Sequence, residues 1–232
     1  MNSVDQPVGA PVDPTPASRP GPVTLEGRTC RVERLDMSHA ADLWEAVKGN
    51  PHLWTYLMAG PYEDRAAFDA WMEARVAAAD PYAYAVIDKA TGRAVGTITL
   101  MEIRPATRVI EMGSILYSPL VQRTPAGTEA QYLAMRYAFD DLGYRRYEWK
   151  CDALNAPSRA AALRYGFTYE GTFRQHVIYK GRKRDTAWFS ITDGEWPAVK
   201  RAFERWLAPE NFDANGNQKA RLSELRETKE TT

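Results

Sequence analysis

The sequence predicts a mixed α+β domain built around a central sheet. Runs with strand alternation and runs with helical spacing follow one another as β, α, α, three strands, α, β, α and further strands. A strand–loop–helix–strand unit occupies the middle, from Arg108 to Cys151. Turn residues such as Thr91-Gly92 and Lys180-Gly181 punctuate the strand-like runs.

Taken in order, Val23 to Leu35 reads as strand, broken at Gly27. Ser38 to Lys48 reads as helix, with Ala40, Leu43, Trp44 and Val47 at helical spacing. Asp64 to Ala78 is a second helix, with Phe68, Trp71, Met72 and Val76 on one face. Tyr82 to Asp88 is a strand. Ala94 to Ile103 and Arg108 to Tyr117 read as antiparallel neighbours joined across Pro105. Gly127 to Asp141 is a helix that turns Ala130, Leu133, Ala134, Tyr137 and Ala138 inward. Tyr144 to Cys151 is a strand. Asn155 to Tyr165 is a short helix, with Asn155 as N-cap and Gly166 just past its end. Phe167–Glu170, Phe173–Tyr179 and Asp185–Ile191 complete the strands. The folded domain is expected over residues 23–207. Residues 1–22 are rich in proline and poor in large apolar side chains, which predicts a disordered leader. Residues 208–232 read as a polar tail.

Composition narrows the function. Lys+Arg and Asp+Glu number 30 each in 232 residues, so the chain lacks the basic excess of a nucleic-acid protein. The basic cluster Lys180-Gly181-Arg182-Lys183-Arg184 reads as a hairpin tip. Cys30 and Cys151 form no disulfide framework, and three histidines form no His/Cys cluster, so no metal is expected. No apolar run approaches about 18 residues and no signal peptide is visible. The expectation is a cytoplasmic protein without a membrane partner.

Two motifs carry the chemistry. Gln122-Arg123-Thr124-Pro125-Ala126-Gly127-Thr128-Glu129-Ala130 lies between a strand and a helix. A loop that feeds backbone N–H groups into a helix N-terminus is a site for phosphate. Asn155-Ala156-Pro157-Ser158 opens the next helix with an amide and a hydroxyl, and closes at Gly166-Phe167. Together they point to a long phosphorylated cofactor whose far end is worked upon.

These residues resemble the Gcn5-related N-acetyltransferase (GNAT) superfamily, and more narrowly its branch of ribosomal-protein N-terminal acetyltransferases (RimJ/RimL-like). The superfamily's loop, Gln/Arg-x-x-Gly-x-Gly/Ala, is matched by Gln122, Gly127 and Thr128-Glu129-Ala130, with Pro125 where the middle glycine is usual. The branch's Asn-x-x-Ser helix start and Gly-Phe end are matched by Asn155, Ser158, Gly166 and Phe167, and its Glu-Gly pair by Glu170-Gly171. The resemblance spans roughly residues 23 to 195. It implies a mostly antiparallel sheet, flanked by helices, that splays between a parallel pair, here Arg108–Tyr117 and Tyr144–Cys151. Acetyl-CoA would lie in that gap as acyl donor. Its pyrophosphate would rest on the loop of Gln122, Arg123, Thr124, Ala126, Gly127 and Thr128. Its pantetheine arm would run beside Leu116 and Tyr117, with Asn155 and Ser158 alongside. Pro125 removes one donor and fixes φ; Thr124, Ala126, Gly127 and Thr128 are left to donate, and binding is expected to survive.

Acyl transfer to an amine requires loss of the amine's proton, stabilisation of the oxyanion and help for the departing thiolate. Ser158 is assigned to the thiolate; the alternative is a helix-start hydroxyl bonded only to local backbone. Glu111 is the leading base, eleven positions before Gln122, the separation seen in histone-type members of the superfamily. Its alternative is a solvent-facing strand charge. His176 is the rival base, its strand following Glu170-Gly171. Trp54, Tyr56 and Tyr62 bracket a loop that borders the acceptor site in the family, where aromatic walls hold an amine; core packing is the alternative. Cys151 lacks a histidine partner for a nucleophilic role. The expected function is N-acetyltransfer from acetyl-CoA to a primary amine, either a protein N-terminus or a small molecule. A non-catalytic acyl-CoA-binding sensor is the second reading, and transfer of a bulkier acyl group a third. A homodimer stays open.

Overall fold

A computed structural model describes residues 6–227; expectations for residues 1–5 and 228–232 lie outside that range. The strands are β1 Thr24–Glu26, β2 Cys30–Arg34, β3 Tyr82–Asp88, β4 Ala94–Arg104, β5 Val109–Tyr117, β6 Arg146–Asp152, β7 Thr168–Tyr179 and β8 Arg182–Thr192. The helices are α1 Ala40–Val47, α2 Arg65–Ala77, α3 Pro125–Arg136, α4 Ala156–Tyr165, α5 Trp196–Leu207 and α6 Leu222–Glu227. One eight-stranded sheet forms in the order β1-β2-β3-β4-β5-β6-β8-β7. Every neighbour pair is antiparallel except β5–β6. This is the expected α+β sheet with a single parallel pair.

Local chemistry sets the helix ends. Asp64 accepts from the Ala67 amide at 2.8 Å to start α2, and Asn155 accepts from the Ser158 amide at 3.1 Å to start α4. Gly166 ends α4 at φ 103°, a left-handed turn that suits glycine. Strand β3, buried along nearly its whole length, lies between two helical layers. On one face Leu43, Val47, Phe68 and Met72 of α1 and α2 pack on Ala83, Ala85 and Leu116. On the other, α3, α4 and α5 cover Ile98, Ile110, Met112, Tyr147 and Phe189.

Four features differ from the sequence reading. Helix α5 was not expected; it buries Trp196, Val199, Phe203, Trp206 and Leu207 against the sheet's α3 side. At about 1.5–3 kcal/mol per buried large side chain, this is a main contributor to the core. The two strand runs from Phe167 to Tyr179 join into one strand, β7, with register shifts at Tyr169/Gly171 and Phe173/Val177. The end of the proline-rich segment is docked rather than free. Ala17 and Ser18 donate to the carbonyls of Pro105 and Leu142, and Gly21 is held by the hydroxyls of Tyr137 and Tyr84. Its own apolar content is small, but loops of the body satisfy its backbone. The tail also packs, with Leu222 fully buried and Phe212 edge-on to Trp206.

Candidate active site

The parallel pair comes apart midway. β5 and β6 are paired from Val109↔Arg146 to Met112↔Trp149 and no further. Beyond that point β5 stays paired with β4 as far as Tyr117, and β6 with β8 as far as Asp152. The β6-facing backbone of residues 113–117 is therefore left without a strand partner. A bulge falls there: three residues of β5 from Gly113 to Leu116 advance against two of β4, and Ser114 adopts φ 45°. Helices α3 and α4 both begin at this end of the pair, so two helix N-termini flank the opening.

The loop before α3 is shaped from within. Thr124 caps the helix by accepting from the Gly127 amide at 3.2 Å, and the Thr128 amide turns to the Thr124 carbonyl. Among the described residues, the amides of Arg123 and Ala126 have no partner. Arg123 sits at φ 59°, which turns its backbone relative to its neighbours. Gly127 faces inward, for a Cβ there would lie 2.6 Å from the Val121 carbonyl and 3.3 Å from the Tyr117 ring. Its missing side chain is a packing requirement, and its amide, expected as a donor to the pyrophosphate, is turned to the Thr124 hydroxyl. Thr128 is buried too, its hydroxyl taken by Arg164 at 3.0 Å. Gln122 donates to the Tyr117 carbonyl at 2.8 Å and so closes the loop on itself. The Tyr117 hydroxyl donates to the Gly127 carbonyl, and Leu116 points into the α1–α2 core, so only their backbone faces the gap between β5 and β6. Glu129 is structural: it accepts from the amides of Arg28, Thr29 and Cys30 and from the Thr29 hydroxyl. These bonds hold its carboxyl low although burial pushes the other way.

Ser158 lies in the first turn of α4 and accepts a hydrogen bond from the Trp149 indole at 3.0 Å. Trp149 is the last β6 residue paired with β5, so the hydroxyl stands at the parting. With its oxygen accepting from the indole, its proton is directed elsewhere. Asn155 serves as N-cap. Cys151 is buried, which raises its thiol pKa, the Ser158 hydroxyl bond opposing.

The opposite face carries a row of charges. Lys150 of β6 lies 2.7 Å from Glu111 and 3.0 Å from Glu148, with its ammonium 4.0 Å from the centre of the Trp188 ring. Arg104 and Arg146 also bind Glu148, and Arg146 continues to Glu170. Glu111 is buried rather than solvent-facing; burial raises its pKa and Lys150 holds that rise in check. Glu148 is held low, because its bonds from Arg146 and Lys150 outweigh burial. His176 is exposed, with Nδ1 3.0 Å from the Thr186 hydroxyl and its ring beside Phe173 and Trp188. The two rival bases thus share one face, joined through Lys150 and Trp188.

The aromatic loop behaves unevenly. Trp54 is a core residue, 3% exposed, edge-on to Tyr62 and Trp71, and a Cβ on Gly60 would meet its ring. Packing, not substrate contact, accounts for it. Tyr62 is half-buried against Phe68 and Trp71. Tyr56 crosses the opening, its hydroxyl 3.2 Å from the Leu154 carbonyl, and Lys180 from the β7–β8 turn reaches the Trp54 carbonyl at 2.7 Å. The loop and the hairpin therefore wall the charged face. Lys150, Trp149, Arg75 and Arg164 were missed by sequence reasoning; Lys150, Arg75 and Arg164 act through partners 36 to 39 residues away, and Trp149 through Ser158 on the next element.

This architecture is that of an acetyltransferase, and residues 31–168 match the family model described as the acetyltransferase (GNAT) domain. The chain belongs to that family. It is similar to a GCN5-related N-acetyltransferase from Brucella melitensis, at 51% identity and TM-score 0.90 over 91% of this chain and 97% of the other. A GNAT-family protein from Chromobacterium violaceum is 39% identical, with TM-score 0.76 over 83% of this chain and all of its own. An acetyl transferase from Salmonella typhimurium, described as modifying the N-terminal serine of ribosomal protein L7/L12, shares the fold at 19% identity and TM-score 0.64, covering 73% of this chain and 99% of that one. No curated protein sequence matches the chain. Among the described residues no helix is long and apolar enough to cross a membrane.

Proposed function

We propose that the chain transfers an acetyl group from acetyl-CoA directly to a primary amine in a ternary complex. One observation carries this reading. Ser158 and Glu111 lie on opposite faces of the sheet, and the parting of β5 and β6 is where both can reach a common substrate. A thioester threaded through the gap meets Ser158 at its sulfur from the α4 side and the amine from the Glu111 side. The residues fit the donor: the unpaired edge of residues 113–117 suits the amides of a pantetheine arm, and the Arg123 and Ala126 amides at the α3 N-terminus suit a diphosphate. Acetyl-CoA supplies the activated acyl group. Glu111 takes the amine's proton, directly or through a water, and Ser158 donates a hydrogen bond to the departing sulfur. Holding both substrates face to face supplies much of the rate.

The RimJ/RimL-like resemblance favours α-amino acceptors, on a protein N-terminus or a small molecule. Thiol release from acetyl-CoA with a panel of amines tests the reading; binding of acetyl-CoA without release across the panel would refute it. Glu111→Gln is expected to lower kcat/KM more than His176→Gln, and the reverse ranking gives the base role to His176.

A further inference from the structure

On the charged face, α2 contributes a cation that the proposed chemistry does not use. The Arg75 guanidinium donates to the hydroxyls of Ser114 and Thr99 and lies 5.0 Å from the centre of the Trp71 ring. Its Nε is buried without an acceptor, and no carboxylate among the described residues pairs with it. Besides burial, Tyr62 acts to raise its pKa and a second cation, Arg34, acts to lower it; Arg34 is itself committed to the carbonyls of Val76, Ala78 and Ala83. Burial lowers the Arg75 pKa to about 10, which leaves it charged at neutral pH. Two hydroxyls compensate a buried cation poorly; such groups are ordinarily paired with an acid. Two more buried polar atoms on the same face lack partners, the Thr97 hydroxyl and the Trp188 indole N–H. Thr97 stands opposite Leu116 at the bulge, and Trp188 opposite Lys150.

The positions are informative. Ser114, held by Arg75, lies three residues beyond Glu111 on β5, on the segment released from β6. At about 3.3 Å per residue, Arg75 reaches the sheet within roughly 10 Å of the Glu111 backbone. An amine presented to Glu111 therefore has its neighbouring substituents within reach of Arg75. We propose that the acceptor is an amine carrying its own carboxylate, as an amino acid or related small zwitterion does, and that Arg75 binds that carboxylate. This rests on the acetyltransferase reading and chooses within it, toward a small amino acid acceptor and away from an amine without a carboxylate. Trp188 stands ready to donate a further hydrogen bond to the same substrate.

The test is a matched acceptor series: an amino acid, its carboxamide and the decarboxylated amine, each followed by thiol release from acetyl-CoA. The carboxylate form is expected to show a kcat/KM about 10- to 100-fold higher than the other two, the worth of one charge-assisted bond. Arg75→Met should collapse that ratio to within about threefold, mainly through KM, and Arg75→Lys should restore part of it. Binding gives a readout independent of turnover: calorimetry with the N-acetylated amino acid should show binding to the parent chain, weakened about tenfold or more in Arg75→Met. Equal use of all three acceptors, with no binding of the N-acetylated amino acid, overturns the proposal and leaves acetyl transfer standing. Thiol release from no acceptor, with CoA bound, would instead sink the transferase reading. If Arg75→Met fails to fold, the acceptor series on the parent chain still decides.

Discussion

Lys150 offers the sharpest test of the base. It lies 2.7 Å from Glu111 and 3.0 Å from Glu148, on adjacent strands, and is 10% exposed. Burial pushes the Glu111 pKa up and the ammonium pulls it down, the net being a rise. The acidic limb of kcat/KM therefore lies above that of an ordinary carboxylate, since Glu111 must lose its proton to act. Lys150→Met removes the opposing cation and leaves two buried carboxylates side by side. A charge within about 4–6 Å moves a carboxyl pKa by about 1–3 units, so the limb should move further up by about 1–3 pH units. Breaking a buried pair also costs about 3–5 kcal/mol, so thermal unfolding is followed in parallel, and Lys150→Arg serves as the charge-keeping control. The assay is thiol release from acetyl-CoA across pH at low acceptor concentration. A limb that stays in place in Lys150→Met, while the variant is folded and turning over, would refute Glu111 as the titrating base.

Other outcomes follow from the same contacts. Ser158→Ala should lower kcat about 100-fold with CoA affinity within about threefold by calorimetry, and should lower Tm because the Trp149 N–H loses its acceptor. An unchanged kcat would leave Ser158 as a helix-start residue. Glu129→Gln should cost about 1.5–3 kcal/mol, read as a Tm loss of about 3–10 °C, since an amide replaces a carboxylate that accepts four bonds. The Glu129 pKa is depressed in the fold, so its contribution is present above the unfolded carboxyl pKa and fades as pH falls through the folded one; the Tm gap should close on acidification. Phe203→Ala should destabilise by about 3–5 kcal/mol in denaturant unfolding, because the ring is fully buried between Tyr132 and Tyr165.

How much was legible depends on where each signal sits. Helix α4 was readable from its own ends, because Asn155 and Gly166 act within a few residues of themselves. The parting of the sheet came from the resemblance, since no local rule marks a strand pair that stops midway. Helix α5 carries the right period in Trp196, Val199, Phe203 and Trp206, but Lys200, Arg201, Glu204 and Arg205 between them make it polar on average. The proline-rich segment looked free because its anchors, Tyr84 of β3 together with Pro105, Tyr137 and Leu142, lie far along the chain. At the site, Glu111 was singled out through the resemblance, which places a strand glutamate eleven positions before Gln122. Lys150 was not, because its meaning lies in a partner one strand away and 39 residues earlier. Trp54 shows the opposite error. An aromatic beside Gly60-Pro61 reads as a pocket wall, yet the glycine is there to let the backbone close onto the indole.

The loop before α3 shows how the fold takes up a departure from the family pattern. Pro125 stands at the first position of α3, where a missing N–H costs least and a fixed φ starts the helix. The sequence implied that Thr124, Ala126, Gly127 and Thr128 would make up the loss. In the fold, the Thr124 amide turns to the Val121 carbonyl, the Gly127 amide to the Thr124 hydroxyl and the Thr128 amide to the Thr124 carbonyl, so three of those four donors are used internally. The left-handed turn at Arg123 adds a donor the sequence reading had not counted. The proline thus stands between the two uncommitted amides, of Arg123 and Ala126, and holds the backbone that separates them. On the proposed reading, a diphosphate would be met by those two amides, at a separation that the fixed φ of the proline helps to set.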